Sequence, residues 1–449
     1  MAKLIDHQSV PSNKSELDLF SLPPTQVSIE NGFWHAARLL NTCTSSGPWQ
    51  FHIQADPHYL QLNKNYVWMK LKITKGNGDN LAVARPAAGG EPAVVGDHPV
   101  GPINLIGKTL FKQVKVHVNG KLAFDSGDNY AYRSFLETEL NYGRGAKQTQ
   151  LTAALYSKDG PPSQLNSETN NVGFRWRQNW FRGSAVVEVM APIHCDLFMT
   201  DRLFLDNTEL NLELHRNNNA FALMCMHDDV DYKLEVVDMV WFVRKVELLK
   251  SVQLGLETAL VRNTAKYPVR RTQVSKLHIA GGRRSAPSNT LFTGQIPRRM
   301  VVGFVDGDAY YGTYRKSPFH FKNFGLKSIK VTAAGQVYPR EPLEMDFANN
   351  QFMRPYVQLF ESMGQAKEDS GNYITLEDFK ESHCLFVFDL TPDEQDGSHW
   401  ELIKDGSVHV DAEFSVDIPE GGVEMIVYAE YDNLVTIDRN RNVYFDFNI

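Results

Sequence analysis

Two stretches in opposite halves of the chain repeat one pattern. VKVHVNGKLAF, Val114 to Phe124, lies over IKVTAAGQVYP, Ile329 to Pro339; Gly120 falls on Gly335 and the apolar positions keep the same parity. Val114, Val116 and Val118 alternate with Lys115 and His117, the period of a strand with one buried face. Asn119-Gly120 between alternating segments is the strongest short-range hairpin signal. Three further pairs follow in the same order: FLETELNYG ending at Gly143 with YVQLFESMG ending at Gly364, Leu210–Leu214 with Val410–Phe414, and Val237–Val240 with Val423–Ile426. Alternating strands match one another by chance, so no single pair decides anything. The shared order of hairpin, helix, strand and strand does, because a repeat settles the architecture before any local feature.

A chain of 449 residues is too long for one ordinary core, and two units of roughly 200 residues are expected. Each unit has many short strands, one helix and long loops. The fold class this favours is all-β: two tandem jelly-roll β-sandwiches with short helices in the loops. The joint is the stretch Asp231 to Gly282. Val237 to Leu249 is rich in β-branched and aromatic residues and reads as a strand; Leu254, Glu257, Thr258 and Val261 allow about two helical turns before Pro268. The expected division is an N-terminal arm (1–24), a first jelly roll (25–250), a linker helix (251–266) and a second jelly roll (267–449).

Within the first unit, Ser15 to Asp18 carries a helix-start signal, with Leu17, Phe20 and Leu22 on one side of a very short helix ended by Pro23-Pro24; the plainer reading is an extended tail packed on its own domain. Tyr66 to Ile73 places Val67, Met69, Leu71 and Ile73 on one face. Residues 76–107, rich in Gly, Pro and Ala, read as a long exposed insertion, and 144–171 as a second long polar loop. Tyr130 to Tyr142 is the best helix of the first half, stopped by Gly143. Strands are expected at Ala185–Met190, Leu203–Leu205 and Leu210–Leu214.

Composition excludes several functions. A formal charge of −7 argues against a dedicated nucleic-acid binder. Four scattered cysteines (Cys43, Cys195, Cys225, Cys384) fit a reducing compartment or incidental core thiols. No run approaches the ~18 apolar residues of a membrane helix and the N-terminus has no secretory apolar region, so a soluble protein is expected. Gly101 to Thr109 has five residues between its glycines where a phosphate loop has four, and it reads as a surface turn. Cys225, His227, Asp228, Asp229 and Asp231 gather metal-ligand types without zinc or calcium spacing. None of the fourteen histidines stands in the HxH pair of a metal-holding jelly roll, and there is no GxSxG or HExxH. Asp389 and Asp393 read as solvated loop carboxylates. The pairs Arg270-Arg271, Arg283-Arg284 and Arg298-Arg299 read either as a basic patch or as solvated strand ends. No catalytic, cofactor or metal residue is assigned.

Ser15 to Trp34 (SELDLFSLPPTQVSIENGFW), Thr264 to Arg271 (TAKYPVRR), Phe388 to Asp393 (FDLTPD) and Val427 to Val443 (VYAEYDNLVTIDRNRNV) resemble the major capsid protein of Polinton (Maverick) elements and the related adintoviruses. The resemblance runs from about Ser15 to Phe445. It implies a double jelly-roll capsid protein, non-enzymatic and without cofactors, whose homotrimers have a pseudo-hexagonal outline. It further implies trimer–trimer packing into an icosahedral shell around DNA, penton or minor capsid proteins at the vertices, an inward-facing arm at Met1 to Pro24, and location in the virion. Contact with packaged double-stranded DNA is expected to be non-specific. Loops 76–107 and 144–171 are expected at the outer crown or the threefold contacts. Competing readings are a tandem jelly-roll receptor- or glycan-binding virion protein, such as a spike or penton component, and a metal-dependent cupin-like enzyme, already weakened by the missing HxH.

Overall fold

Both hairpins form, and with the same backbone. Phe111–Val118 pairs with Lys121–Asp125 through Asn119 and Gly120, and Leu326–Ala333 with Gln336–Glu344 through Ala334 and Gly335. The four turn residues have φ of 49°, 76°, 48° and 77°, the left-handed pair whose twist matches the flanking strands. The computed structural model describes residues 8–10, 12, 14–43, 46–85, 95–227, 230–394 and 399–447, and within them the repeat extends to the whole strand plan.

The first set is β1 (Ile29–Arg38), β2 (Trp49–Ile53), β3 (Tyr59–Lys75), β4 (Phe111–Val118), β5 (Lys121–Asp125), β6 (Val187–Ala191), β7 (Leu210–Arg216) and β8 (Tyr232–Leu248). The second is β9 (Ala265–Ile279), β10 (Phe292–Gln295), β11 (Arg299–Asp306), β12 (Leu326–Ala333), β13 (Gln336–Glu344), β14 (Leu385–Asp389), β15 (Asp405–Phe414) and β16 (Val423–Ile437). The first set makes two antiparallel sheets ordered β1-β8-β3-β6 and β2-β7-β4-β5; the second makes β9-β16-β11-β14 and β10-β15-β12-β13. Adding eight to every label of the first pair of orders gives the second. Each set is a jelly roll, eight strands in two facing sheets, and the fold is a double jelly roll with short helices in its loops. A short strand β17 (Val443–Phe445) extends the second lobe beside β16.

Alternation explains the first lobe's core. Val67, Met69, Leu71 and Ile73 of β3 and Val114, Val116 and Val118 of β4 are fully buried on inward faces, with Lys70 and Lys72 half-buried on the other. The second lobe departs from alternation: every residue of β11 is buried and so are all but the last of β14. That sheet is covered on both faces, and its sequence is accordingly a continuous apolar run rather than an alternating one. Gly303 in β11 is required by close packing, since a Cβ there would lie 2.5 Å from the Phe321 ring and 2.9 Å from Leu385.

The longer helices among the described residues are α1 (Tyr130–Asn141), α2 (Val172–Trp180), α3 (Lys250–Leu260), α4 (Met353–Ser362) and α5 (Leu376–Glu381). α1 and α4 occupy the same place in the two lobes, between the fifth and sixth strands. Gly143 follows α1 in extended backbone, φ −79° and ψ 178°, rather than the left-handed stop expected of it. α2 was not legible in the sequence: Asn171 caps it by accepting from the Phe174 N–H at 3.0 Å.

Other expectations are corrected. Residues 100–107 are buried rather than exposed, because Gly101–Pro102 pairs with Leu223–Met224 and Leu105 and Ile106 enter the core; residues 86–94 of that insertion lie outside the described residues. Residues 144–171 fold into short helical turns whose Leu151, Ala154 and Tyr156 form a small core with Leu105 and Ala191. At Leu203–Leu205 only Phe204 pairs, in an isolated bridge with Leu60. The short helix near the N-terminus is Ser15–Leu17, with no side-chain cap.

Candidate assembly surfaces and the seam between the lobes

Helix α1 joins the lobes. Its Phe135 ring lies parallel to Phe319 of the second lobe at 4.2 Å, and Tyr132 stacks on Tyr310 at 5.5 Å. Arg133 and Glu137, one turn apart on the same helix, pair at 2.9 Å, and Arg133 reaches Asp196 at 2.6 Å. Asp196 also accepts from the Thr272 N–H of the second lobe at 3.2 Å, and the Tyr428 hydroxyl lies 3.4 Å from Glu137. His194 Nδ1 meets the Glu137 carboxylate, and Lys108 Nζ sits 2.8 Å from His194 Nε2. A neutral imidazole that donates to Glu137 and accepts from Lys108 satisfies all three groups.

The ionisation pattern follows from burial and these partners. Burial alone would raise the Glu137 carboxyl, but Arg133 and His194 reverse this and bring it down to about 2. Burial pushes Lys108 down to about 8 against the pull of Glu137. His194 is lowered by burial and by neighbouring Lys108. Buried charges of this kind add little net stability, yet removing one partner costs about 3–5 kcal/mol. The network therefore fixes how the lobes meet.

Further contacts join like ends of the lobes. At one end, Lys147 pairs with Glu139 and donates to the Asn372 carbonyl at 2.7 Å, while Lys158 pairs with Asp378. At the other, Arg441 bonds Asp206 and, at 2.6 Å, Glu257 of α3. There, too, Asn119 donates to the Arg441 carbonyl and Lys121 to the Val443 carbonyl, at 2.7 and 2.8 Å. The turn after β4 thus touches the segment after β16, so both lobes stand in the same sense.

Every described residue from 8 to 30 is exposed. Leu17, Leu19, Phe20 and Leu22 stand out at 67–97% exposure, so the arm does not pack on its own domain. Leu254 of α3, Val261 just after it, and Leu402 and Ile403 are also exposed. Apolar surface of this kind marks interaction sites.

The residues singled out for chemistry are put to structural use. The supposed phosphate loop is a buried turn, not a surface one, and its Lys108 is engaged with His194. Cys225 is buried, His227 stacks on His98 at 3.8 Å and pairs with Glu168, and Asp228 and Asp229 lie outside the described residues; no ligand set forms among those described. Arg283 and Arg284 are exposed just past the end of β9, as solvated strand ends, whereas the other two pairs are drawn into contacts along the second lobe. Arg270 and Arg298 flank Asp432 at 3.6 and 3.1 Å, Arg299 meets Glu430 at 3.3 Å, and Arg271 stacks on Tyr431 at 4.4 Å. Arg284 pairs with Asp417 at 2.6 Å. Asp389 caps its own turn through Thr391. Asp393 lies 3.0 Å from His399, which is 3.4 Å from Glu401; the first two are exposed and Glu401 is half-buried. Among the described residues no helix is long and apolar enough to cross a membrane.

No family model matches the chain. The Caenorhabditis elegans uncharacterized protein F54H12.2 is 33% identical over 431 residues, spanning 95% of this chain and 99% of its own. Among solved structures, the Sputnik virophage structure by cryo-EM aligns with a TM-score of 0.62 at 11% identity, over 100% of this chain and 94% of that one. The PBCV-1 virus capsid aligns at 0.58 and 11% identity, over 96% and 100%; the mavirus major capsid protein aligns at 0.55 and 12%, over 99% and 97%. At these identities the likeness is one of fold.

Proposed function

The chain belongs to the family of the nematode protein F54H12.2, and from that premise and its duplicated fold we propose that it is a major capsid protein of the Polinton (Maverick) and adintovirus type. The role is structural, with no reaction catalysed. Three copies form a homotrimer that presents six similar sandwiches. Trimers then pack into an icosahedral shell around a DNA genome, with other proteins closing the vertices, so the protein resides in the virion. A relative from an animal alongside a fold shared with viral capsid proteins supports an element of animal genomes.

The observation that carries the proposal is the identical strand order of two lobes held side by side in one sense. Three such chains approximate sixfold symmetry, which a hexagonal lattice needs. Obligate trimer contacts bury on the order of 2,000 Å² or more, and the exposed arm and α3 are apolar surface for them. Trimer–trimer contacts are weaker individually and sum over the shell. Contact with DNA is non-specific and secondary, since a chain of charge −7 cannot neutralise packed phosphates. Size-exclusion chromatography with light scattering tests the first step. A mass three times the 50.9 kDa of one chain is expected, and a stable monomer at micromolar concentration contradicts it.

A further inference from the structure

A cleft of about 750 Å³ opens between the lobes, lined where β4 and β8 begin and where β9 and β11 end. The long loops 76–110, 126–186 and 345–384 lead from this end; the arm and α3 are at the other. Tyr310 and Tyr311 stand in its wall, edge to face at 5.2 Å. The Lys276 ammonium lies 4.2 and 4.6 Å from their ring centres and donates to the Tyr311 hydroxyl at 3.2 Å. Tyr311 is 61% exposed, leaving ring surface open to the cleft. Tyr132 is 2% exposed and also lines the cleft, yet its hydroxyl has no hydrogen-bond partner among the described residues. A buried phenol without a partner is costly unless something else supplies the bond.

The lining carries four cations, Lys112, Arg216, Lys233 and Lys276, and one carboxylate, Asp128, which pairs with Lys112 at 2.8 Å. A positive cleft in a chain of net charge −7 concentrates anions locally. Arg216 is engaged with the Asn217 and Leu234 carbonyls, both at 3.0 Å, and Lys233 with the Gly76 carbonyl. Lys276 is exposed and donates to a neutral hydroxyl, which leaves its ammonium further hydrogens for a ligand. An aromatic face beside a cation suits a sugar ring, whose C–H face stacks on the aromatic while an acidic substituent meets the ammonium. The neighbouring amides of Asn217, Asn218 and Asn219 make the wall polar rather than greasy. Single-stranded nucleic acid needs successive stacking platforms along a basic track; Tyr310 is already stacked on Tyr132, leaving Tyr311 as the exposed ring.

We propose that this cleft binds an acidic oligosaccharide, with Tyr311 under a pyranose ring and Lys276 on its carboxylate or sulfate. The cleft is complete within one chain, so the proposal goes beyond capsid assembly and is tested separately from it. Calorimetric titration of the full chain would compare a sialylated trisaccharide, a heparin-derived hexasaccharide, a neutral hexasaccharide and a thymidine oligonucleotide of matched charge. One acidic sugar is expected to bind at least tenfold more tightly than the neutral sugar and the oligonucleotide, and which one distinguishes carboxylate from sulfate recognition. Tyr311→Ala and Lys276→Gln should each weaken that binding at least tenfold with the elution volume and melting temperature unchanged. Equal binding of acidic and neutral sugars, no sugar binding, tighter binding of the oligonucleotide, or affinity unmoved by both variants would overturn the assignment.

Discussion

Glu137 is held by Arg133, His194 and the second lobe's Tyr428, so it senses both halves of the molecule. Glu137→Gln leaves Arg133 and its neighbours with an uncompensated buried charge. A loss of about 3–5 kcal/mol is expected, read from urea denaturation, with both lobes unfolding at lower denaturant. Acid acts on a different set. His320 donates through Nε2 to the Glu381 carbonyl at 3.0 Å, and its buried Nδ1 has no partner among the described residues. Burial, then Lys322, push it down to about 4, against the pull of Asp306; His194 and His383 are lowered as well. For groups depressed in the fold, the stabilisation is full above the unfolded value near 6.5 and drains as pH falls toward the folded one. Thermal melts should therefore lose stability between pH 6.5 and about 4, with the Glu137 carboxylate adding to the loss only below its unfolded value of 4.5, and His320→Gln should shrink the part above that. Of these partnerships only Arg133–Glu137, one turn apart on a helix, follows a local pattern. Arg133 finds Asp196 and Arg299 finds Glu430 across separations that no local pattern encodes, and Arg298-Arg299 resembles surface charge in the sequence for the same reason.

Elements were more legible than their partners. The β4-β5 and β12-β13 hairpins could be read because the turn chemistry is local. The second turn, however, carries Ala334 at φ 48° where the first carries Asn119, and a left-handed alanine costs roughly 1–2 kcal/mol. Ala334→Asn should stabilise the chain by about 0.5–1 kcal/mol, measured as a rise in the melting temperature. Elements buried from outside were missed. The segment 100–107 is rich in turn residues yet goes inside because Gly101–Pro102 pairs with Leu223–Met224. Likewise 144–171 reads as a polar loop from its Gln, Asn, Ser and Thr residues and Pro161-Pro162, although Lys147 and Lys158 reach across to Asn372 and Asp378. Burial decided by a distant partner leaves no periodicity to read.

For the whole molecule, the repeat was the feature that one chain could disclose, since two copies of a pattern in fixed order imply two copies of a fold. What the sequence withheld is the seam: α1, the 144–171 segment and the Arg441 clasp together fix the two lobes side by side in one sense, where a flexible linker would have left them free. The capsid reading depends on that rigid pairing, because only lobes in a fixed relation let threefold association imitate a hexagon. Negative-stain microscopy of the purified chain measures this directly. Class averages should show particles with six similar densities in a threefold-symmetric, near-hexagonal outline; isolated two-lobed particles, or rings of any other symmetry, would contradict the account.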